Sequence, residues 1–379
     1  MLENYSEKSK FNFFKTKNYF RNLDKQIFFS FVLLFFLGLF FSFSSTSFVA
    51  DERLNKGYYF FFQKHLIYAI FSFLIMISIS ITNTKFLNKT FLPIFLIFLI
   101  TMILIPFFGV EVKGAKRWLN LYLFRFQPIE FIKPFFIVVI AQIISSNFIK
   151  SLKLSYFLSF LLLLLLIILL VLQPDMGQSV LLISGWVSII FLSGFNIYLL
   201  FFILLIALST FASLIYFLPE RFDYIVSRLT MFLNPEKSLN VQSSKATEAI
   251  REGSLKGQGM GEGILKDSVP EAHTDYVIAV ISEEFGSIVS IMIILIFLFI
   301  AYRVVKRVIN LNNNFYKLTL SGLISILVFQ TFIHIGVNAN LLPTTGMTLP
   351  FLSYGGSSLL SSGIIAGIIL NYTSRGLKE

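Results

Sequence analysis

Cysteine is absent from the 379 residues, so neither a disulfide, a thiolate nucleophile nor a cysteine-ligated metal can operate here. Histidine is almost absent too. His65, His273 and His334 lie far apart along the chain, which argues against a multi-histidine metal centre. Charge is scarce, at 13% of residues, and none falls between Leu318 and Ser374. The glycine-rich run from Gly253 to Gly263 lacks the lysine-serine/threonine ending of a nucleotide P-loop, which argues against nucleotide hydrolysis.

What is present is hydrocarbon. The chain is 56% hydrophobic and carries 47 phenylalanines, a composition suited to a solvent that is itself apolar. Uncharged stretches recur at about 20 residues, the length an α-helix needs to cross roughly 30 Å of acyl chain with its backbone polar groups satisfied internally. Ten are read, near Ile27 to Phe43, His65 to Ile81, Phe91 to Phe108, Pro134 to Asn147, Leu154 to Leu172, Met176 to Leu192, Ile197 to Leu218, Phe285 to Ala301, Leu318 to Leu341 and Leu349 to Leu370. Ser193-Gly194-Phe195-Asn196 breaks a run too long for one crossing into a tight helical hairpin. The expected fold is an all-α polytopic membrane protein of about ten transmembrane helices, with a large extracytoplasmic loop at residues 219–276 between spans 7 and 8. Residues 1–26 form an N-terminal tail, 27–374 the transmembrane domain and 375–379 a C-terminal tail.

Lys8, Lys10, Lys15, Lys17, Arg21 and Lys25 precede the first span, and with an even number of crossings both termini are expected in the cytoplasm. Lys85, Lys89, Lys150, Lys153, Arg303, Lys306, Arg307, Lys317, Arg375 and Lys378 fall on the same side. This positive-inside pattern accounts for most of the net charge of +11, so a nucleic-acid partner is not expected.

Basic residues on the outer side run against that rule and need another reason. The loop after Val110 carries Lys113, Lys116, Arg117 and Arg125, followed by Glu130 and Lys133 on one helix face at the start of a span. Lys133 alone reads as a snorkelling anchor and Trp118 alone as an interfacial belt residue. Together with Arg117 and Glu130 they form an electropositive cluster suited to a pyrophosphate or other anionic headgroup. The long second loop closes with Pro270-Glu271-Ala272-His273-Thr274-Asp275. Asp275 there has two readings: a general base beside an apolar wall, or, with Thr274 as the alternative, the N-cap of the next helix. Gln173-Pro174-Asp175 reads as a plain turn, and Asn338, inside a span, needs a hydrogen-bond partner.

These segments resemble the SEDS family of shape, elongation, division and sporulation membrane glycosyltransferases. The carriers are GAKRW (Gly114 to Trp118), FQPIEFIK (Phe126 to Lys133), QPDMG (Gln173 to Gly177), PEAHTD (Pro270 to Asp275) and GMTLPFLSYGGSS (Gly346 to Ser358). The run from Gly336 to Phe351 is similar to the cell-division branch, although Thr345 stands where that branch usually carries lysine. The resemblance implies Asp275 as the catalytic carboxylate on the outer face, with Arg117, Trp118, Glu130, Lys133, Glu271, His273 and Ser353 contacting substrate. It also implies lipid II and undecaprenyl-pyrophosphate-linked glycan as substrates and a class B penicillin-binding protein as transpeptidase partner, alongside other division-complex membrane proteins. A divalent cation, magnesium or manganese, would assist the leaving group, without any nucleotide. The site would face the periplasm in the inner membrane at the septum. A lone carboxylate suits inverting displacement, with Glu271 the only second carboxylate close in sequence. A lipid II flippase and a division-complex scaffold are the alternatives that the same spans allow.

Overall fold

In hydrocarbon a backbone polar group has no water to bond, so each uncharged stretch closes its own hydrogen bonds as a helix. The computed structural model describes residues 19–45, 59–112, 114–120, 125–146, 149, 151–217, 219–233, 241–263 and 272–374. A short α1 (Tyr19–Asn22) leads into α2 (Lys25–Ser45), α3 (Phe60–Ile81) and α4 (Thr84–Phe108). Strands β1 (Val110–Val112), β2 (Ala115–Asn120) and β3 (Arg125–Phe126) follow, then α5 (Pro128–Ser145), α6 (Leu152–Leu172), α7 (Met176–Leu192) and α8 (Ile197–Phe217). The chain continues through α9 (Pro219–Leu233), α10 (Val241–Gly253), α11 (Val277–Ile309), α12 (Asn314–Asn338) and α13 (Gly356–Tyr372). Among the described residues eight helices are long and apolar enough to cross a membrane, and α7 and α13 are shorter apolar helices of the same bundle. The expected break between α7 and α8 is present: Gly194 adopts φ +87° and the Asn196 side chain accepts from the Tyr198 and Leu199 amides at 2.9 and 3.3 Å.

The core lies around α5 and α12. Every residue of α5 from Pro128 to Ala141 is buried, against α4, α6, α7, α12 and α13. At the other extreme α8 packs chiefly on α9, and Leu200 is its single buried residue. The far end of the bundle is tied by polar clasps. Asp24 accepts from Arg303 at 2.8 and 3.1 Å and from Arg307 at 3.2 Å, joining the start of α2 to the end of α11. Burial pushes the Asp24 carboxyl up, but Arg303 and Arg307 outweigh it and leave it below the usual carboxylate range. Asn371 donates to the carbonyls of Ile79, Ser80 and Thr82, closing α13 onto the end of α3.

The loop end departs from the sequence expectations in three places. The first outer loop is a three-stranded antiparallel sheet in the order β1-β2-β3, turning through Gly114 at φ +76°. The second carries α9 and α10. The helices flanking the motifs also shift: α11 starts at Val277 rather than near Phe285, and α13 at Gly356 rather than Leu349. Residues 339–355 are therefore a non-helical passage, in which Pro343 and Pro350 have no amide to give.

Helix α11 also contains a break. Gly286 sits at φ +85°, ψ 164°, and the freed Glu283 and Glu284 carbonyls accept from the Gln258 and Gly259 amides at 2.9 and 3.0 Å. A Cβ on Gly253, Gly257 or Gly286 would overlap the carbonyls of Ser282, Glu284 and Leu255 respectively. The glycine-rich run thus makes the close backbone approach its composition allows, but to a helix rather than to a phosphate. Glu283 and Glu284 are 0% and 2% exposed, and Ser44 donates to the Glu284 carboxylate. Gly286→Ala is expected to cost at least about 1–3 kcal/mol, from the positive φ alone. Gly261→Ala, at φ +84° in open space, supplies the strain without the overlap. Thermal unfolding in detergent should rank Gly286→Ala clearly below Gly261→Ala; equal stabilities would mean the clamp is not tight.

Candidate active site

Three consecutive carbonyls of the PEAHTD segment are held by residues from α12 and the passage that follows it. The Tyr354 amide donates to His273 O at 2.9 Å, the Ser353 hydroxyl to Thr274 O at 2.7 Å and the Asn338 side chain to Asp275 O at 3.0 Å. Asn338, 0% exposed, also accepts from the Ala279 amide at 3.2 Å, so the partner it needed is the start of α11. The N-cap position of α11 falls on Tyr276, one residue beyond Asp275 and two beyond Thr274, the expected caps. The Asp275 carboxylate projects toward Gly346, with Oδ2 3.5 Å from where a Cβ on that residue would stand. Gly346, at φ +69°, is thus a turn that leaves the acid room.

The passage itself is held by a polar stripe on α12. Gln330, His334 and Asn338 recur every fourth residue and so share one face. Gln330 donates to Thr348 O at 2.9 Å, and His334 Nδ1 lies 2.7 Å from Met347 O. A carbonyl only accepts, so Nδ1 of His334 carries the proton. Gln330 also accepts from Lys133 Nζ at 3.4 Å. The stripe therefore joins Lys133 to Asp275, and its eight-residue length separates the two anchor points by about 12 Å at 1.5 Å per residue.

Lys133 is 1% exposed and pairs with Glu130 at 2.7 Å, so it is not a snorkelling side chain. Glu130 Oε1 accepts from Gln178 at 2.7 Å, and the Glu130 main-chain carbonyl accepts from Ser361 at 2.6 Å. Five helices thus meet around one buried ion pair: α5 supplies it, α7 and α12 bond to it, α13 bonds to the main chain of Glu130, and α4 packs behind α5.

Arg117, on β2, spends its fork on the α6–α7 turn. Nε donates to Gln173 O at 2.9 Å, Nη2 donates to Pro174 O, and Nη1 lies 3.9 Å from Asp175 Oδ2. Asp175 is more than a turn residue. It caps α7 through the Gln178 amide at 3.4 Å and accepts from Gln127 at 3.4 Å. Burial pushes its carboxyl up, with Arg117 pulling the other way.

Of the other expected contacts, Trp118 is half-buried in β2, paired across the sheet with Val110. The His273 ring lies over Phe61 at 4.6 Å. Ser353 is 2% exposed and bonded at both ends, accepting from the Leu349 amide at 2.8 Å, so it positions the acid-bearing segment. Glu271 and Lys113 lie outside the described residues. Sequence reasoning missed Gln178, Gln330, His334, Tyr224 and Arg228. The last two come from α9, where Arg228 donates to Thr344 O at 3.0 Å and feels the charges of Arg117, Asp175 and Asp275. Burial holds the Tyr224 phenol at about 12, and the same holds for Tyr276, to which Asp275 also contributes. The amphipathic pattern of α9 was the available signal. A cavity of about 310 Å³ bordered by Glu111, Lys116, Gln173 and Pro174 includes neither Asp275 nor Lys133 and adjoins the cluster at the turn that Arg117 holds.

Among known proteins, the family model described as cell cycle protein, for FtsW, RodA and SpoVE, matches residues 24–376. A probable peptidoglycan glycosyltransferase FtsW from Caulobacter vibrioides is 35% identical over 338 residues, covering 89% of this chain and 86% of that protein. Stage V sporulation protein E of Bacillus subtilis is 30% identical over 349 residues, covering 90% and 94%. The fold is also that of a chain from a peptidoglycan synthase complex that coordinates polymerization and crosslinking, with a TM-score of 0.76 at 23% identity over 93% of this chain and 97% of that one. The rod shape determining protein RodA of Thermus thermophilus superposes with a TM-score of 0.67 at 23% identity, over 93% and 96%. Motifs, bundle and family model agree over nearly the same span of residues, and the chain belongs to the FtsW, RodA and SpoVE family of cell cycle proteins.

Proposed function

We propose that this membrane protein is a peptidoglycan glycosyltransferase that polymerises lipid II during septal wall synthesis, with Asp275 as its general base. The observation that carries the reading is the fixation of Asp275. Its own carbonyl and the two before it are hydrogen-bonded from α12 and the 339–355 passage, while its carboxylate stays beside a glycine turn. A base held in this way needs no reorganisation when a hydroxyl arrives.

In the reaction the C4 hydroxyl of an acceptor lipid II sugar attacks the anomeric carbon of the growing glycan. The new bond joins that oxygen to C1, the bond from C1 to the phosphate oxygen breaks, and the hydroxyl proton passes to Asp275. Undecaprenyl pyrophosphate departs with the electron pair, and a single displacement inverts the anomeric centre. Arg117 and, deeper in the bundle, Lys133 add positive potential on the side where the diphosphate gains charge. Each already has protein partners, so both act through the field they set up. A divalent cation finds no group of three or more His, Cys, Asp or Glu side chains among the described residues, and no step is assigned to one.

The basic residues at the end opposite Asp275, Lys85, Lys89, Lys153 and the α11 cluster, support cytoplasmic termini and a site facing the periplasm. A class B penicillin-binding protein as transpeptidase partner is the association that the synthase-complex relative suggests.

Asp275→Asn should leave a folded, membrane-inserted protein whose polymerisation of lipid II in detergent falls by about 10²- to 10⁴-fold. Retained polymerisation would remove Asp275 from this role, and polymer formation by wild type without a second compartment separates an enzyme from a flippase. The buried pair makes a different prediction. Lys133→Met leaves Glu130 uncompensated and should cost about 3–5 kcal/mol of stability, whereas Glu130→Gln combined with Lys133→Met should lose markedly less. Melting curves of the two variants test this, and a double variant as unstable as the single one would refute it.

A further inference from the structure

We propose that Arg228, Tyr224 and Thr345 form a diphosphate-binding pocket beside Asp275, carried into place by α9. This deepens the polymerase reading and rests on it. The cations expected from sequence are occupied: Lys133 by Glu130 and Gln330, Arg117 by the carbonyls of Gln173 and Pro174. Arg228 differs. Among the described residues its one hydrogen bond is to Thr344 O, leaving most of its five donors for a ligand.

Its position is set by the amphipathic pattern of α9. Phe222 and Ile225 are buried, while Tyr224 and Arg228, four residues apart, share another face. Arg228 grips the passage at Thr344, and the Asp275 carboxylate approaches the same turn at Gly346, two residues on. The cation and the base thus flank one turn.

The hydroxyls around it are donors without acceptors. Tyr224 Oη is buried with no hydrogen-bond partner, and so is Thr345 Oγ1, in the residue next to the one that Arg228 holds. Buried hydroxyls left unpaired are costly, so a ligand that accepts from both would be favoured here. Thr345 also packs against Gly177 in the first turn of α7, where a Cβ would come within 3.1 Å of it. Electrostatics asks for the same ligand. Burial and the neighbouring Arg117 both pull the Arg228 guanidinium below its ordinary value, so an anion between the two would relieve desolvation and repulsion together.

A guanidinium that only donates, beside a phenol and an alcohol each free to donate, favours a ligand that is anionic and rich in acceptors. A diphosphate meets that description, and the donor lipid carries one on the carbon attacked by the hydroxyl that Asp275 deprotonates.

Purified full-length chain should be heated with inorganic pyrophosphate and, separately, with undecaprenyl diphosphate. Both should raise the melting temperature of wild type, and neither should raise that of Arg228→Gln. Equal shifts in both proteins would overturn the pocket, as would a shift produced by the lipid form alone, because recognition would then lie in the isoprenoid. In the lipid II assay Arg228→Gln should lose at least tenfold in kcat/KM and need at least tenfold more pyrophosphate for inhibition, with Arg228→Lys and Tyr224→Phe intermediate. Unchanged kcat/KM in Arg228→Gln would refute the assignment. If Arg228→Gln does not fold, Tyr224→Phe and Thr345→Val carry the test: unaltered pyrophosphate inhibition in both overturns it. A wild type that binds pyrophosphate yet makes no polymer would sink the polymerase reading and leave the pocket standing.

Discussion

Non-helical backbone inside an apolar bundle must be supplied with donors, and that requirement organises this protein. In the 339–355 passage and the 272–276 segment several carbonyls close no helical bond. Side chains close them instead: Gln330 for Thr348, His334 for Met347, Arg228 for Thr344, Ser353 for Thr274 and Asn338 for Asp275. Each is a polar residue in an apolar setting, and each fixes a piece of chain whose path no helix dictates. The position of the Asp275 carboxylate follows from these bonds more than from the packing of any one helix.

The Glu130–Lys133 pair obeys the same logic at greater depth. Two charges removed from water repay their desolvation only when the remaining lone pairs and protons are also engaged. Gln178 and Gln330 provide that engagement from α7 and α12. The pair therefore fixes how three helices sit relative to one another, a matter of register as much as of stability. Asp175 repeats the pattern at the rim, where it caps α7 and holds Gln127 with Arg117 nearby.

Much of this was legible in the sequence. Uncharged runs located the apolar helices, since length and composition suffice for that, and Ser193 to Asn196 marked the break between α7 and α8 through its glycine and asparagine. Glu130 and Lys133 were readable as a pair from their spacing alone. The break at Gly286 was not, because a glycine inside a hydrophobic helix is usually tolerated in place, and only the arrival of Gln258 and Gly259 makes the interruption worthwhile. Leu349 to Gly355 read as helix by hydropathy, yet they are turn and irregular chain whose bonds run to Leu349 nearby and to His273 and Thr274 far along the sequence, a pattern with no period to detect. Arg228 escaped for a similar reason: in a loop rich in both charges, one arginine carries no sign that it faces an acid.

The sparse packing of α8 bears on all of this. A helix with one buried residue along its whole length has little neighbouring protein to fix its tilt. The next element along the chain is α9, and Phe211 of α8 meets Phe222 of α9 ring to ring. Arg228 is thus carried by a helix whose chief neighbour is itself held by little else in the bundle, so the cation beside Asp275 sits on the least anchored part of the chain.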